Sequence, residues 1–178
     1  VLQPASLREE EAVAQLRVLA PRLIVVAAYG QILRLPVLSI PPAGVLNVHP
    51  SLLPKYRGAS PIVGALLAGE ERTGVTIMLM DEGMDTGPII SQREVEIAPE
   101  DTAGSVSERL SRVGAELLLA TVPRWLTGTI EAVPQDEMEA SYTRPVSKEE
   151  AVVDWSLPVE EIWSVSYTHL TLPTNREV

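Results

Sequence analysis

Two stretches hold the residues that could do chemistry. In Gly44-Val-Leu-Asn-Val-His-Pro50 a carboxamide and an imidazole stand two residues apart at the end of an apolar run. Read as a strand over Gly44–Val48, the run sends alternate side chains to one face, so Asn47 and His49 project together. Pro50, with no N–H to give, ends the pairing. Two donors aimed at one point are what a reaction passing through an oxyanion needs. Further on, Thr73-Gly-Val-Thr-Ile-Met-Leu79 reads as a strand running into Met80-Asp-Glu-Gly-Met-Asp-Thr-Gly87. That loop gathers Asp81, Glu82 and Asp85, and a carboxylate near the imidazole would favour its charged form and could move a proton.

The elements that must position these groups read as α/β. Ser6-Leu-Arg-Glu9 has the pattern of a capping box, and Ala12, Val13, Leu16, Leu19 and Ala20 fall on one helical face that Pro21 stops. Arg22 to Ala28 is continuously apolar after its first residue, as a strand covered on both sides would be. Tyr29-Gly30 follows at that strand's carboxyl end, where open α/β sheets place ligands. Ser60-Pro61 should open a helix and Gly69 close it. Gly74 to Met80 reads as a third strand, and Ile89 to Ile97 as a half-exposed edge strand. Thr102 to Leu126 reads as a long amphipathic helix marked by Val106, Leu110, Val113, Leu117 and Ala120, with Trp125 in the core. Ile130 to Val133 suggests a short last strand, and Pro134 to Pro145 a polar connector.

The order of these motifs, from Asn47-Val-His49 through Ser51-Leu-Leu-Pro54 to Asp85 beyond a Thr-Gly strand, resembles the formyltransferase family that uses 10-formyltetrahydrofolate. Lys55-Tyr-Arg-Gly-Ala-Ser-Pro-Ile62, Thr76-Ile-Met78, Met80 to Gly87 and Ser147 to Ser156 are similar to the members that formylate methionine carried on initiator tRNA. The resemblance implies an α/β fold with a mostly parallel sheet and flanking helices, Rossmann-like and incomplete. It implies Asn47, His49 and Asp85 as catalytic residues converging on one cavity. Asp85 stands where the family carries its catalytic aspartate, whereas Asp81 and Glu82 read as solvating a turn. Ser51, Leu52, Leu53 and Pro54 are implied as the folate-contacting turn. Ala28 to Leu33 would border the cleft, with Tyr29 either a cleft residue or a capping aromatic. Lys55 and Arg57 would either meet the tRNA or remain solvated. The implied partners are folate and initiator methionyl-tRNA, in a protein monomeric when full length. Another folate-dependent formyltransferase such as the glycinamide ribonucleotide enzyme, a formyltetrahydrofolate hydrolase, and a fragment with at most weak folate binding are the alternatives.

Composition bounds the rest. Across 178 residues with 46% hydrophobic content, one core and one domain are expected. No Cys and two His argue against a metal site or disulfide framework. No leader or membrane-length apolar run suggests export, so a cytoplasmic protein is expected. The formal charge of −10, from 14 Lys and Arg against 24 Asp and Glu, argues against a nucleic-acid surface within this chain. The resemblance places that surface in an N-terminal loop and a C-terminal barrel domain. Residues 1–145 are thus read as the catalytic domain lacking its opening strand–helix unit, and 146–165 as the start of a linker towards the C-terminal domain. Residues 166–178, with neither helical period nor family feature, read as a non-native tail, which leaves His169 without a role. No Gly-rich phosphate loop is present, so no nucleotide cofactor is implied.

Overall fold

A computed structural model describes residues 1–145 and Ser156. The expected tail 166–178, and the expected linker 146–165 apart from Ser156, lie outside the described residues. Helix α1 (Glu10–Val18) buries Ala12 and Val13. The capping box expected at Ser6–Glu9 does not form. The N-cap is Glu9 with no side-chain bond, and the Ser6 hydroxyl accepts from the Arg8 N–H at 3.1 Å, a local turn that competes with helix. Leu19 and Ala20 fall past the helix end and are exposed.

Strand β1 (Ile24–Ala27) pairs parallel with β2 (Val45–His49) across a connection that includes α2 (Leu35–Leu38). Ile24 and Val26 pack with Val13, Leu33, Val37 and Val45. Val25 (42% exposed) and Ala27 take the other face, so β1 is covered on one side rather than two. After β3 (Arg57–Gly58) and α3 (Pro61–Leu67), β4 (Arg72–Leu79) runs antiparallel to β2, and β5 (Ile89–Glu96) antiparallel to β4. The sheet order is β1-β2-β4-β5. The chain is α/β as expected, but this sheet is mixed rather than mostly parallel. A parallel neighbour needs a crossover of about a dozen residues or more, which the loop from Met80 to Pro88 cannot provide. Strand β5 is the half-exposed edge the sequence suggests.

Proline opens α3 directly after Ser60, and Gly69 closes it at φ +67°. There the Glu70 and Gly69 N–H groups bond the Ala65 and Leu66 carbonyls, a Schellman ending. Helix α4 (Ala103–Leu126) starts with a reciprocal box between Thr102 and Ser105. It buries Val106, Leu110, Gly114, Leu117 and Thr121 against Leu46, Val75, Ile77 and Ile90 of the sheet. Gly114 and Thr121 also sit on the buried face; Val113 packs half-buried against the core as the period implies, whereas Ala120 is exposed. The missing side chain at Gly114 lets α4 approach Val48 and Val75. Trp125 is half-buried against the core, its indole N–H on the Ala43 carbonyl at 2.8 Å.

The expected last strand shrinks to one bridge, Val133 to Ile89. The polar connector is not a bare linker, for it forms a 3₁₀ turn at Glu137–Glu139 and β6 (Tyr142–Thr143), which pairs with β3. Among the described residues, no helix is long and apolar enough to cross a membrane.

Candidate active site

Strand alternation puts Val45, Asn47 and His49 on one face of β2, and Leu46 with Val48 on the α4 side. The loop after β4 carries Asp85 back to that same strand end. The Asn47 carboxamide nitrogen lies 3.4 Å from Asp85 Oδ1, and His49 Nδ1 lies 3.7 Å from Asp85 Oδ2. Asp85 Oδ2 also accepts from the Gly58 N–H at 2.8 Å. The structure thus brings Asn47, His49 and Asp85 together.

The tautomer of His49 follows from its other nitrogen. Nε2 lies 3.0 Å from the Tyr56 carbonyl, which can only accept, so Nε2 carries a proton. Nδ1, the other ring nitrogen, faces Asp85. The ring is buried (3% exposed) while the Asp85 side chain keeps a small opening.

These groups line a cleft of about 580 Å³, walled by Ala28, Tyr29, Pro50, Ile62, Val63 and Ser107. A smaller cavity of about 260 Å³ meets it at Asn47, Gly58 and Asp85, and extends past Met80 and Met84. Tyr29 belongs to the walls of both. Among the described residues the non-glycine positions with left-handed backbone are Ala20, Ala28, Tyr56 and Asp85, and the last three border this site or hold it. Such strain, of about 1–3 kcal/mol per residue, persists where surrounding bonds over-determine it. Tyr56 is held by its N–H on Ser141 Oγ (2.9 Å) and its hydroxyl on Glu70 (2.7 Å). Burial and then Glu70 raise its hydroxyl pKa above the usual value.

The Ser51–Pro54 turn borders neither of these two cavities. Ser51 is fully buried, its hydroxyl on the Lys55 carbonyl (2.7 Å). Thr76 Oγ1 donates to the Ser51 carbonyl (2.7 Å) and accepts from the Leu53 N–H (3.1 Å). Gln92 adds a bond to the Leu53 carbonyl (2.7 Å). The turn is thereby fixed to β4 and β5 behind His49. Asp81 accepts from Gly83 N–H and the Thr86 hydroxyl at the exposed loop tip, and Glu82 is exposed.

Arg57 overturns its expectation as a surface cation. It is fully buried, and its guanidinium makes five hydrogen bonds, to Gln135, Glu137 and Tyr142. A guanidinium has five N–H donors, so none remains for a phosphate. The bond to Glu137, outweighing burial, raises the Arg57 pKa further above its ordinary value and holds Glu137 below the usual carboxylate range. Lys55 is exposed and paired with Glu70 at 3.5 Å. Gln135, Glu137 and Ser141 escape sequence reasoning because they read as polar connector residues. Among the described residues, no group of three His, Cys, Asp or Glu side chains could hold a metal ion.

Known proteins resemble this chain in sequence and in fold. A methionyl-tRNA formyltransferase from Chloroflexus aurantiacus is 54% identical over 158 residues, which is 89% of this chain and 51% of the relative. The chain spans about half the length of the curated relatives it matches. Among solved structures, a formyltransferase from Anoxybacillus kamchatkensis in complex with a formamido UDP-sugar and tetrahydrofolate is 29% identical. Its TM-score is 0.63, with 80% of this chain and 70% of that one covered. An N-formyltransferase from Helicobacter canadensis in complex with folinic acid and dTDP-3-aminofucose is 28% identical at a TM-score of 0.63, covering 70% and 46%. The family model described as formyl transferase matches residues 1–122, from before α1 to the end of the buried face of α4. With that match enclosing Asn47, His49 and Asp85, the chain belongs to the formyl transferase family.

Proposed function

We propose that this chain is the catalytic part of an enzyme that moves the formyl group of 10-formyltetrahydrofolate to the amine of methionine on initiator tRNA. The observation that carries the reading is the convergence of a carboxamide, an imidazole and a carboxylate at one cleft. The acceptor rests on the relatives named methionyl-tRNA formyltransferase. The donor rests on the related formyltransferase structures in complex with tetrahydrofolate and with folinic acid.

The residues have separable tasks. As the amine adds to the formyl carbon, the formyl oxygen gains negative charge. Asn47 Nδ2 has a second N–H to offer it beside the one turned to Asp85, and protonated His49 offers Nδ1–H. One preorganised donor of this kind contributes about 3–4 kcal/mol. The amine must lose a proton and the folate nitrogen must gain one. The 3.7 Å gap between Nδ1 and Asp85 is too long for a direct bond and suits a bridging group. Asp85 takes the amine proton directly or through a water, and His49 returns one to the leaving nitrogen. Apolar walls from Ile62 and Val63 limit water in the cleft. The Ser51–Pro54 turn, which lines neither cavity, supports the folate site by holding His49 from behind, and the two connected cavities suit a donor and an acceptor that meet at Asp85.

The test is formyl transfer to charged initiator tRNA by the full-length natural protein. Wild type should transfer, and His49→Ala and Asp85→Ala should each lower kcat by about a hundredfold or more, with folate affinity little changed. Near-normal turnover in either variant removes that residue from the chemistry. A nucleotide-linked amino sugar should accept formyl poorly. Preference for that acceptor would replace the tRNA reading.

A further inference from the structure

Gln135 is used to its full capacity. Its carbonyl oxygen takes bonds from Arg57 Nε at 3.1 Å and Arg57 Nη2 at 2.9 Å. Its amide nitrogen donates to the Asp85 carbonyl at 2.8 Å and the Gly87 carbonyl at 2.7 Å. The amide cannot be turned over, since a flip would set oxygen against two carbonyls and N–H groups against a guanidinium. Arg57 is itself fixed by a two-pronged bond to Glu137, by the Tyr142 hydroxyl, and by the Tyr142 ring 5.6 Å below it. The circuit then closes on the carboxylate. Gly58, next to Arg57 in the chain, donates its N–H to Asp85 Oδ2. Asp85 is therefore held from behind by its carbonyl and from the front by its carboxylate, at a backbone φ of 55° that it would not keep unaided.

From this circuit we infer that Gln135, set by the buried Arg57, is a positioning residue for Asp85. Neither side chain touches substrate in this account. They hold the carboxylate opposite His49 Nδ1 and keep the left-handed turn from relaxing. The connector from Pro134 to Thr143 is thereby part of the site's support. The inference concerns the residue that the proposed function makes a proton carrier, and so rests on that reading, although its geometry can be read without catalysis.

The experiment compares wild type, Gln135→Leu and Gln135→Glu in the full-length natural protein. Leucine removes all four bonds at similar volume. Glutamate keeps the partner for Arg57 but sets an oxygen against the Asp85 and Gly87 carbonyls. A group that merely anchors the connector would tolerate glutamate, whereas a group that positions Asp85 would not. Both variants should lose kcat by roughly tenfold to a hundredfold, the scale of a misplacement near 1 Å, with KM for the folate donor little moved. In Gln135→Glu the thermal midpoint should stay within a few degrees of wild type. A second readout is the NMR signal of the His49 ring, assigned by its loss in His49→Ala. Release of Asp85, which lies 3.7 Å from Nδ1, should move the ring resonances in both variants relative to wild type. If kcat and the His49 resonances are both unchanged in Gln135→Glu, the positioning role is overturned. If wild type fails to transfer formyl while the His49 resonances still move in the variants, the proposed function fails and the positioning of Asp85 stands.

Discussion

Substituting alanine for Gly87 should damage stability and activity together. Gly87 is buried where the Asp85 loop rejoins β5. A Cβ there would overlap the Leu79 carbonyl oxygen outright, and would lie 3.0 Å from the Leu79 carbonyl carbon and 3.1 Å from the Met78 methyl. Carbon atoms rest at about 3.5–4.0 Å and the carbonyl oxygen is closer still, so the loop must move back by at least about 1 Å. It cannot do so freely, because the Gly87 carbonyl is bonded to Gln135 and the Leu79 N–H to the Pro88 carbonyl. Forced overpacking of this kind costs about 3 kcal/mol at the upper end of its range. A displacement near 1 Å two residues from Asp85 should also lower turnover by roughly a hundredfold. The check is denaturant unfolding beside formyl transfer, with Gly69→Ala as control. At Gly69 nothing lies within 4 Å, but φ is +67°, so alanine there should cost about 1–2 kcal/mol and leave kcat alone. If Gly87→Ala matched wild type in both assays, the close approach would have no role in holding Asp85.

Three further outcomes follow from the same contacts. The Glu137 carboxyl titrates below its usual range because Arg57 bonds its charged form. Its contribution is therefore complete above the ordinary carboxylate pKa of about 4.3 and is lost as pH falls through the lowered folded value. The stability gap between wild type and Glu137→Gln should be present at neutral pH and vanish in acid, and a gap that persists in acid would exclude the ion pair as its source. Asp101 also titrates low, because bonds from Arg109, Ser105 and the Ala98 N–H together outweigh the burial that would raise it. Thermal melts of Asp101→Asn should then show a loss at neutral pH that shrinks in acid. Thr102→Ala removes the cap on the Ser105 N–H (3.1 Å) and should cost about 1 kcal/mol without changing kcat.

The parts of the site that sequence reasoning reaches are those fixed by local geometry. Asn47 and His49 face one way because strands alternate, and Pro50 marks where pairing ends. The α4 face is legible from its period, apart from Gly114, where the absence of a side chain lets α4 approach Val48 and Val75, and Thr121, a polar residue on the buried side. What stays hidden depends on partners far along the chain. Arg57 beside a reactive site looks like a phosphate reader, and its burial depends on residues 78 to 85 positions away. Gln135, Glu137 and Tyr142 look like solvated connector because the cation that engages them is not nearby in sequence. The direction of β5 turned on loop length against a resemblance that implied a mostly parallel sheet. The false capping box shows the opposite failure, a correct local pattern defeated by a tighter local turn at Ser6.

The commitment of Arg57 also bears on how an acidic chain could serve a nucleic-acid substrate. Phosphate neutralisation needs cations with donors to spare. Beside the proposed site, Arg57 has none left and Lys55 leans on Glu70. The cleft therefore has no phosphate grip from Arg57. Its polar groups are arranged instead around a small uncharged reacting centre, with Asn47, His49 and Asp85 at the junction of two cavities. Tight attraction to a polyanion at this point would oppose the Asp85 charge that the proposed proton transfer uses. Separating the two tasks resolves that conflict: the buried cation stiffens the carboxylate, and the affinity for tRNA, under the proposed function, comes from residues other than Arg57.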